Sequence, residues 1–169
     1  MKQKRFDPTG FTLVELIIVI AIIAILAAAI FVSIDPARRL HEARNARRRT
    51  DVMTMVEAIK QYQVDNDGIH YITIANADFD DPRIIGLPAL VCDTTCSAVT
   101  VTNTQCLDLS DIGPNYLSRI PKDPTIGTDQ WTAYYLIKGS SGNITVGACE
   151  PEGEDAGGAG TPPVIEATR

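Results

Sequence analysis

Gly10-Phe11-Thr12-Leu13-Val14-Glu15, followed by the nineteen uncharged residues Leu16–Ile34 (LIIVIAIIAILAAAIFVSI), is the stretch on which the fold turns. A run of about 20 apolar residues crosses a bilayer as one helix. Glu15 stands at the head of that run. An acidic side chain deep in a membrane helix costs about 2.5–3.5 kcal/mol, so a carboxylate kept there marks a function.

On the N-terminal side lies a short basic leader, with Lys2, Lys4 and Arg5 against Asp7, ending in Gly10. A secretory signal peptide starts the same way, but this apolar region is too long for one. The leader charge favours a cytoplasmic N-terminus, whereas Arg38, Arg39, Arg44, Arg47, Arg48 and Arg49 beyond the apolar run pull the other way. The cysteines decide for N-terminus in and C-terminus out. Cys92, Cys96, Cys106 and Cys149 all follow the membrane segment, and an even count there fits disulfides in an oxidising compartment. Of three pairings, Cys92–Cys96 with Cys106–Cys149 is favoured. Zinc is disfavoured because the spacing lacks paired short knuckles.

On the C-terminal side, Asp35-Pro36 predicts a bend or loosened turn near residues 33–37, since proline lacks an amide donor and disfavours helix before it. Residues 35–64 then read as an amphipathic continuation. Val52, Val56, Ile59 and Gln63, with Met55 and Tyr62 beside them, form one stripe, and Asp65-Asn66-Asp67-Gly68 stops it. A helix from Phe11 to about Val64 would extend roughly 80 Å. Residues 65–150 form the globular part. There Ala98–Thr102 is predicted as a strand, and 132–138 with 143–148 as a hairpin across Gly139-Ser-Ser-Gly142. Residues 151–169, rich in acid, glycine and proline, are expected to be a flexible tail.

Charge and motifs exclude several functions. Residues 51–169 carry six basic against seventeen acidic side chains, so most of the soluble part repels nucleic acid. The arginines at 38–49 have no aromatic among them to stack on bases. Lipid headgroups or acidic faces of neighbouring subunits are the expected partners, and DNA is not. His41-Glu42 lacks the second histidine of a zinc protease, since residue 45 is Asn45. Gly139–Gly142 lacks the spacing of a nucleophile elbow and reads as a turn. No catalytic set emerges.

The leader, Gly10, Phe11, Glu15 and the pure apolar helix together resemble the N-terminal signal of type IV pilins and type II secretion pseudopilins. The segment Ile120-Pro-Lys-Asp-Pro124, then Trp131 and Tyr134-Tyr135, is similar to the stretch before the C-terminal strands of major pseudopilins, although their Trp-Gly-Asn-Pro-type turn is missing. The resemblance implies an α+β fold: a long N-terminal helix, membrane-spanning in its first half, packed by its second half on a small antiparallel sheet. It implies removal of residues 1–10 by a prepilin peptidase cutting between Gly10 and Phe11, N-methylation of Phe11, and 11–34 as the assembly helix. Glu15 is then expected to pair with the Phe11 amine of a neighbouring subunit in a helical homo-oligomeric filament. An inner-membrane assembly platform with its ATPase would drive assembly, from the cytoplasmic membrane into the periplasm or beyond.

The resemblance also raises calcium in the C-terminal loops, with Asp65, Asp67, Asp78, Asp80, Asp81, Asp123 and the acids from Glu150 to Asp155 as candidates. No cofactor is otherwise expected. Two alternatives stay open: a pseudopilin that drives protein export, and an uncleaved single-pass membrane-anchored enzyme or receptor.

Overall fold

The computed structural model describes residues 10–88 and 92–169. The expected leader lies, apart from Gly10, outside the described residues. Two compact units are distinct, one ending at Pro36 and one running Ala37–Arg169.

The first unit is helix α1, Leu13–Ile34, opened by Thr12 as N-cap. Twenty-two residues give about 33 Å of helix, enough for the hydrocarbon core of a bilayer. The helix is apolar on every side and none of its residues is buried. Asp35 ends it in the left-handed conformation (φ 46°, ψ 73°), one that aspartate tolerates better than most residues. The expected loosened turn therefore sits at a single residue, and Pro36, needing no amide partner, opens helix α2, Pro36–Asp65.

The second unit is built on α2. Val52, Met55, Val56, Ala58 and Ile59 are buried and pack with Tyr134, Leu136, Ile144, Val146 and Ala148 of a sheet. The expected stripe is therefore the face that meets the sheet. Burying one such side chain fully stabilises by about 1.5–3 kcal/mol. The helix stops where the sequence predicts. Asp67 (φ 54°) and Gly68 (φ 82°) both turn left-handed, and the Gly68 amide closes on the Gln63 carbonyl at 2.8 Å. A one-turn helix α3, Ile72–Ala75, follows.

The sheet is antiparallel in the order β1 (Arg83–Ile84), β2 (Tyr134–Lys138), β3 (Ile144–Ala148), β4 (Glu166–Thr168). β2 and β3 are the predicted hairpin, with Leu136 opposite Val146. Alternation along β2 gives the sheet two covered faces. Tyr134 and Leu136 face the α2 core, while Tyr135 and Ile137 join Ile84, Ala133, Trp131 and the cysteines in a second cluster.

Three expectations are corrected. Residues 98–102 form no strand; the segment is irregular, held by the Ser97 hydroxyl and the Ala98 amide on the Cys149 carbonyl at 2.8 and 3.2 Å. Residues 151–169 are no loose tail. Ile165 is buried, and β4 pairs Val146 with Ala167, closing the sheet edge beside β3. The disulfides are Cys92–Cys106 and Cys96–Cys149, with Cα atoms 5.1 and 4.5 Å apart. Backbone pairing dictates this. The Cys92 amide bonds the Thr104 carbonyl at 2.8 Å, folding 92 onto 106, and the bonds at 97 and 98 bring Cys96 to Cys149.

Candidate assembly site

The head of α1 gathers the residues singled out by sequence. Gly10 and Phe11 are exposed, Phe11 at 90 %, so the peptide between them is open to a protease. Glu15 is the third residue of the helix and folds back on its cap. The Thr12 amide and hydroxyl donate to Glu15 Oε2 at 2.9 and 2.8 Å, and the Glu15 amide donates to the Thr12 hydroxyl at 3.2 Å. This reciprocal capping box satisfies two donors that a helix start otherwise leaves open. Both bonds to the carboxylate fall on Oε2; among the described residues none falls on Oε1. Thr12 was missed by reading the sequence for charge alone. Its signal was present, as Thr-x-x-Glu directly before an apolar run.

Glu15 thus stands at the positive end of a helix dipole, where a negative charge is favoured. Its second oxygen can accept a cationic donor without breaking the cap. Below it, Leu16, Ile17, Ile18, Val19 and Ile20 are all exposed, as is the rest of the helix. An apolar surface of this extent is covered by lipid or by other copies of the helix.

The arginine cluster behaves differently from expectation. Arg48 is 0 % exposed, its Nε and NH2 donating to Asp123 Oδ2 and Oδ1 at 2.6 and 3.2 Å and its NH1 to Glu152 Oε2 at 2.7 Å. Arg44 reaches Glu152 at 2.8 Å and Arg49 reaches Glu154 at 3.1 Å. Arg47 lies 3.7 Å from Asp51, and Arg38 and Arg39 both meet Glu42. Three of the six arginines therefore hold this chain's own C-terminal loop, rather than lipid or another subunit. Burial pushes the Asp123 carboxyl up, but the bonds from Arg48 and Thr125 outweigh it and hold the group below the usual carboxylate range. Glu152 is lowered in the same way, with burial overridden by Arg48 and Arg44.

Of the residues considered for calcium, Asp123, Glu152 and Glu154 are bonded to these basic and amide side chains, and Glu150 accepts from the Ser97 hydroxyl and amide, both at 2.9 Å. Among the described residues no three His, Cys, Asp or Glu side chains gather in one place. The carboxylates of Asp123, Glu152 and Glu154 are thus already engaged by donors of this chain.

An apolar helix with a carboxylate at its head, broken at one residue and continued by an amphipathic half on a four-stranded antiparallel sheet, defines a pilin-like subunit. Residues 8–31 match the prokaryotic N-terminal methylation motif. The chain is 32% identical over 161 residues to the type II secretion system core protein G of Vibrio cholerae serotype O1, covering 95% of this chain and 91% of that protein. No solved structure matches significantly. The chain belongs to the family of these major pseudopilins. It is a filament subunit whose precursor is anchored in the inner membrane by α1 and whose filament stands in the periplasm. The family is structural rather than catalytic.

Proposed function

We propose that this chain, cut after Gly10 and methylated on Phe11, polymerises through α1 into a filament that drives protein secretion. One observation carries the assembly step: Glu15 is held by Thr12 through Oε2 alone, at the head of a helix whose whole surface is exposed. Cleavage frees an α-amine on Phe11, about 6 Å of helix rise from Glu15. The amine of one subunit donates to Oε1 of its neighbour, and each α1 leaves lipid for contact with other copies. A charged amine and a carboxylate in an apolar bundle each require the other, so the pair fixes register as a subunit joins. The peptidase that makes the cut and the membrane platform with its ATPase are the partners this process needs. The chain works by packing and catalyses no reaction.

The secretion role rests on the relative that matches nearly the full length of the chain, a type II secretion core protein. Deleting the gene and measuring proteins released to the medium, alongside filaments sheared from the cell surface, separates the two filament uses. Loss of export with no change in surface pili is the expected result. Loss of surface pili with intact export assigns the subunit to a pilus instead.

A further inference from the structure

The face of α2 that carries the apolar stripe begins with two polar residues, Asn45 and Arg48, both fully buried. They receive two separate pieces of chain. From one side comes the turn after Pro121. Asp123 Oδ1 accepts from the Thr125 amide and hydroxyl and the Ile126 amide at 2.8, 2.6 and 3.2 Å, and both its oxygens take Arg48. From the other side comes the loop after Cys149. The Asn45 side-chain amide donates to the Glu152 carbonyl at 2.6 Å and accepts from the Glu152 amide at 3.0 Å, as a strand neighbour would. His41 Nδ1 lies 3.0 Å from the Gly153 carbonyl.

Charge is balanced within this knot. Arg44, Arg48 and Arg49 face Asp123, Glu152 and Glu154, three cations against three anions. Calcium takes six to eight oxygens, with carboxylates supplying the charge. Here the carboxylate charge is already met by guanidinium, and an entering ion would have to displace a buried arginine. A planar guanidinium also donates in several fixed directions at once, which lets one side chain tie the 123–126 turn to the 150–155 loop.

We propose that Arg48, backed by Arg44 and Arg49, fastens the C-terminal loop to α2 in the place of a divalent ion, so that the fold of this subunit is independent of calcium. The loop is then clamped by a cation that the chain itself encodes, and its order does not follow the calcium level outside the membrane. This stands apart from the filament reading, and its failure would leave that reading untouched.

The test uses the full chain in detergent micelles, with thermal unfolding followed by Trp131 fluorescence and loop order by cleavage with a glutamate-specific protease. Millimolar calcium chloride and excess EGTA are expected to give the same midpoint and the same cleavage rate at 150–155. Arg48→Met is expected to lower the midpoint by about 10 °C, with no recovery in calcium. Should that variant fail to fold, Arg44→Gln with Arg49→Gln is expected to fold and to speed loop cleavage several-fold, again without rescue by calcium. A wild-type midpoint raised several degrees by calcium, or cleavage accelerated by EGTA, overturns the proposal. So does an Arg48→Met chain that melts with the wild type.

Discussion

Thr12 and Glu15 cap one another: the threonine amide donates to Glu15 Oε2 at 2.9 Å while the glutamate amide donates to the threonine hydroxyl at 3.2 Å. The carboxylate is therefore held by its own chain through one oxygen.

Two substitutions separate the cap from the assembly contact. Thr12→Ala removes the hydroxyl and leaves the carboxylate, so it is expected to weaken the helix start by about 1 kcal/mol and still assemble. Glu15→Ala removes both roles; it is expected to insert and be cleaved but to enter filaments at a small fraction of the wild-type level. Sheared-filament yield against membrane-bound pool measures this. Equal assembly of Glu15→Ala and wild type removes the carboxylate from the mechanism.

The disulfides fix which loops the covalent bonds close. Cys92–Cys106 spans 14 residues and Cys96–Cys149 spans 53. Loop-closure entropy assigns about 3 kcal/mol to the shorter and about 4 kcal/mol to the longer. Replacing Cys96 and Cys149 by serine is thus expected to cost more than replacing Cys92 and Cys106, read from chemical unfolding. Peptide mapping of the oxidised chain checks the connectivity itself.

Gly147 stands opposite Tyr135 on β3, and a side chain there would run into the tyrosine ring. The ring is held by its hydroxyl, which donates to Glu166 of β4 at 3.2 Å. Burial, with Glu166 beside it, pushes that hydroxyl up to about 12, so it stays a donor at all physiological pH. Gly147→Val is expected to displace the ring and loosen β4, costing about 1–3 kcal/mol in thermal unfolding.

Acid should open the molecule at the α2 knot. Asp123 and Glu152 have folded values below their ordinary ones of about 3.9 and 4.3. The unfolded chain therefore binds more protons near pH 4, and the stability these groups give is complete above that range. It is lost as pH falls through their folded values. Asp51 runs the other way. Burial raises it despite the bond from the Tyr134 hydroxyl, so its share is present in acid and declines as pH climbs through the raised value. Melting midpoints are expected to drop steeply below about pH 4, and Arg48→Met to flatten that drop.

Helices α1 and α2, the break at Asp35 and the β2–β3 hairpin were legible because each is written in neighbouring residues: an apolar run, Asp-Pro, a stripe at helical spacing, two β-prone segments about a turn. Arg48 was read as a surface charge, yet it lies on the helix face of Val52, Val56 and Ile59, and that register was the signal for its burial. Its partner Asp123 is 75 residues away, which no local pattern reveals. β4 escaped because its pairing is made by backbone, with Ile165 as the one buried hydrophobic side chain in a polar, glycine-rich segment. The cysteine pairing followed from loop contacts of the same long-range kind.

The central claim is that Phe11 becomes the first residue and that its amine meets Glu15 of another copy. Intact-mass and N-terminal peptide analysis of the protein from native membranes tests it most directly. The account predicts a chain that begins at N-methylated Phe11, lacking Met1–Gly10. A mature protein that retains those ten residues would contradict it.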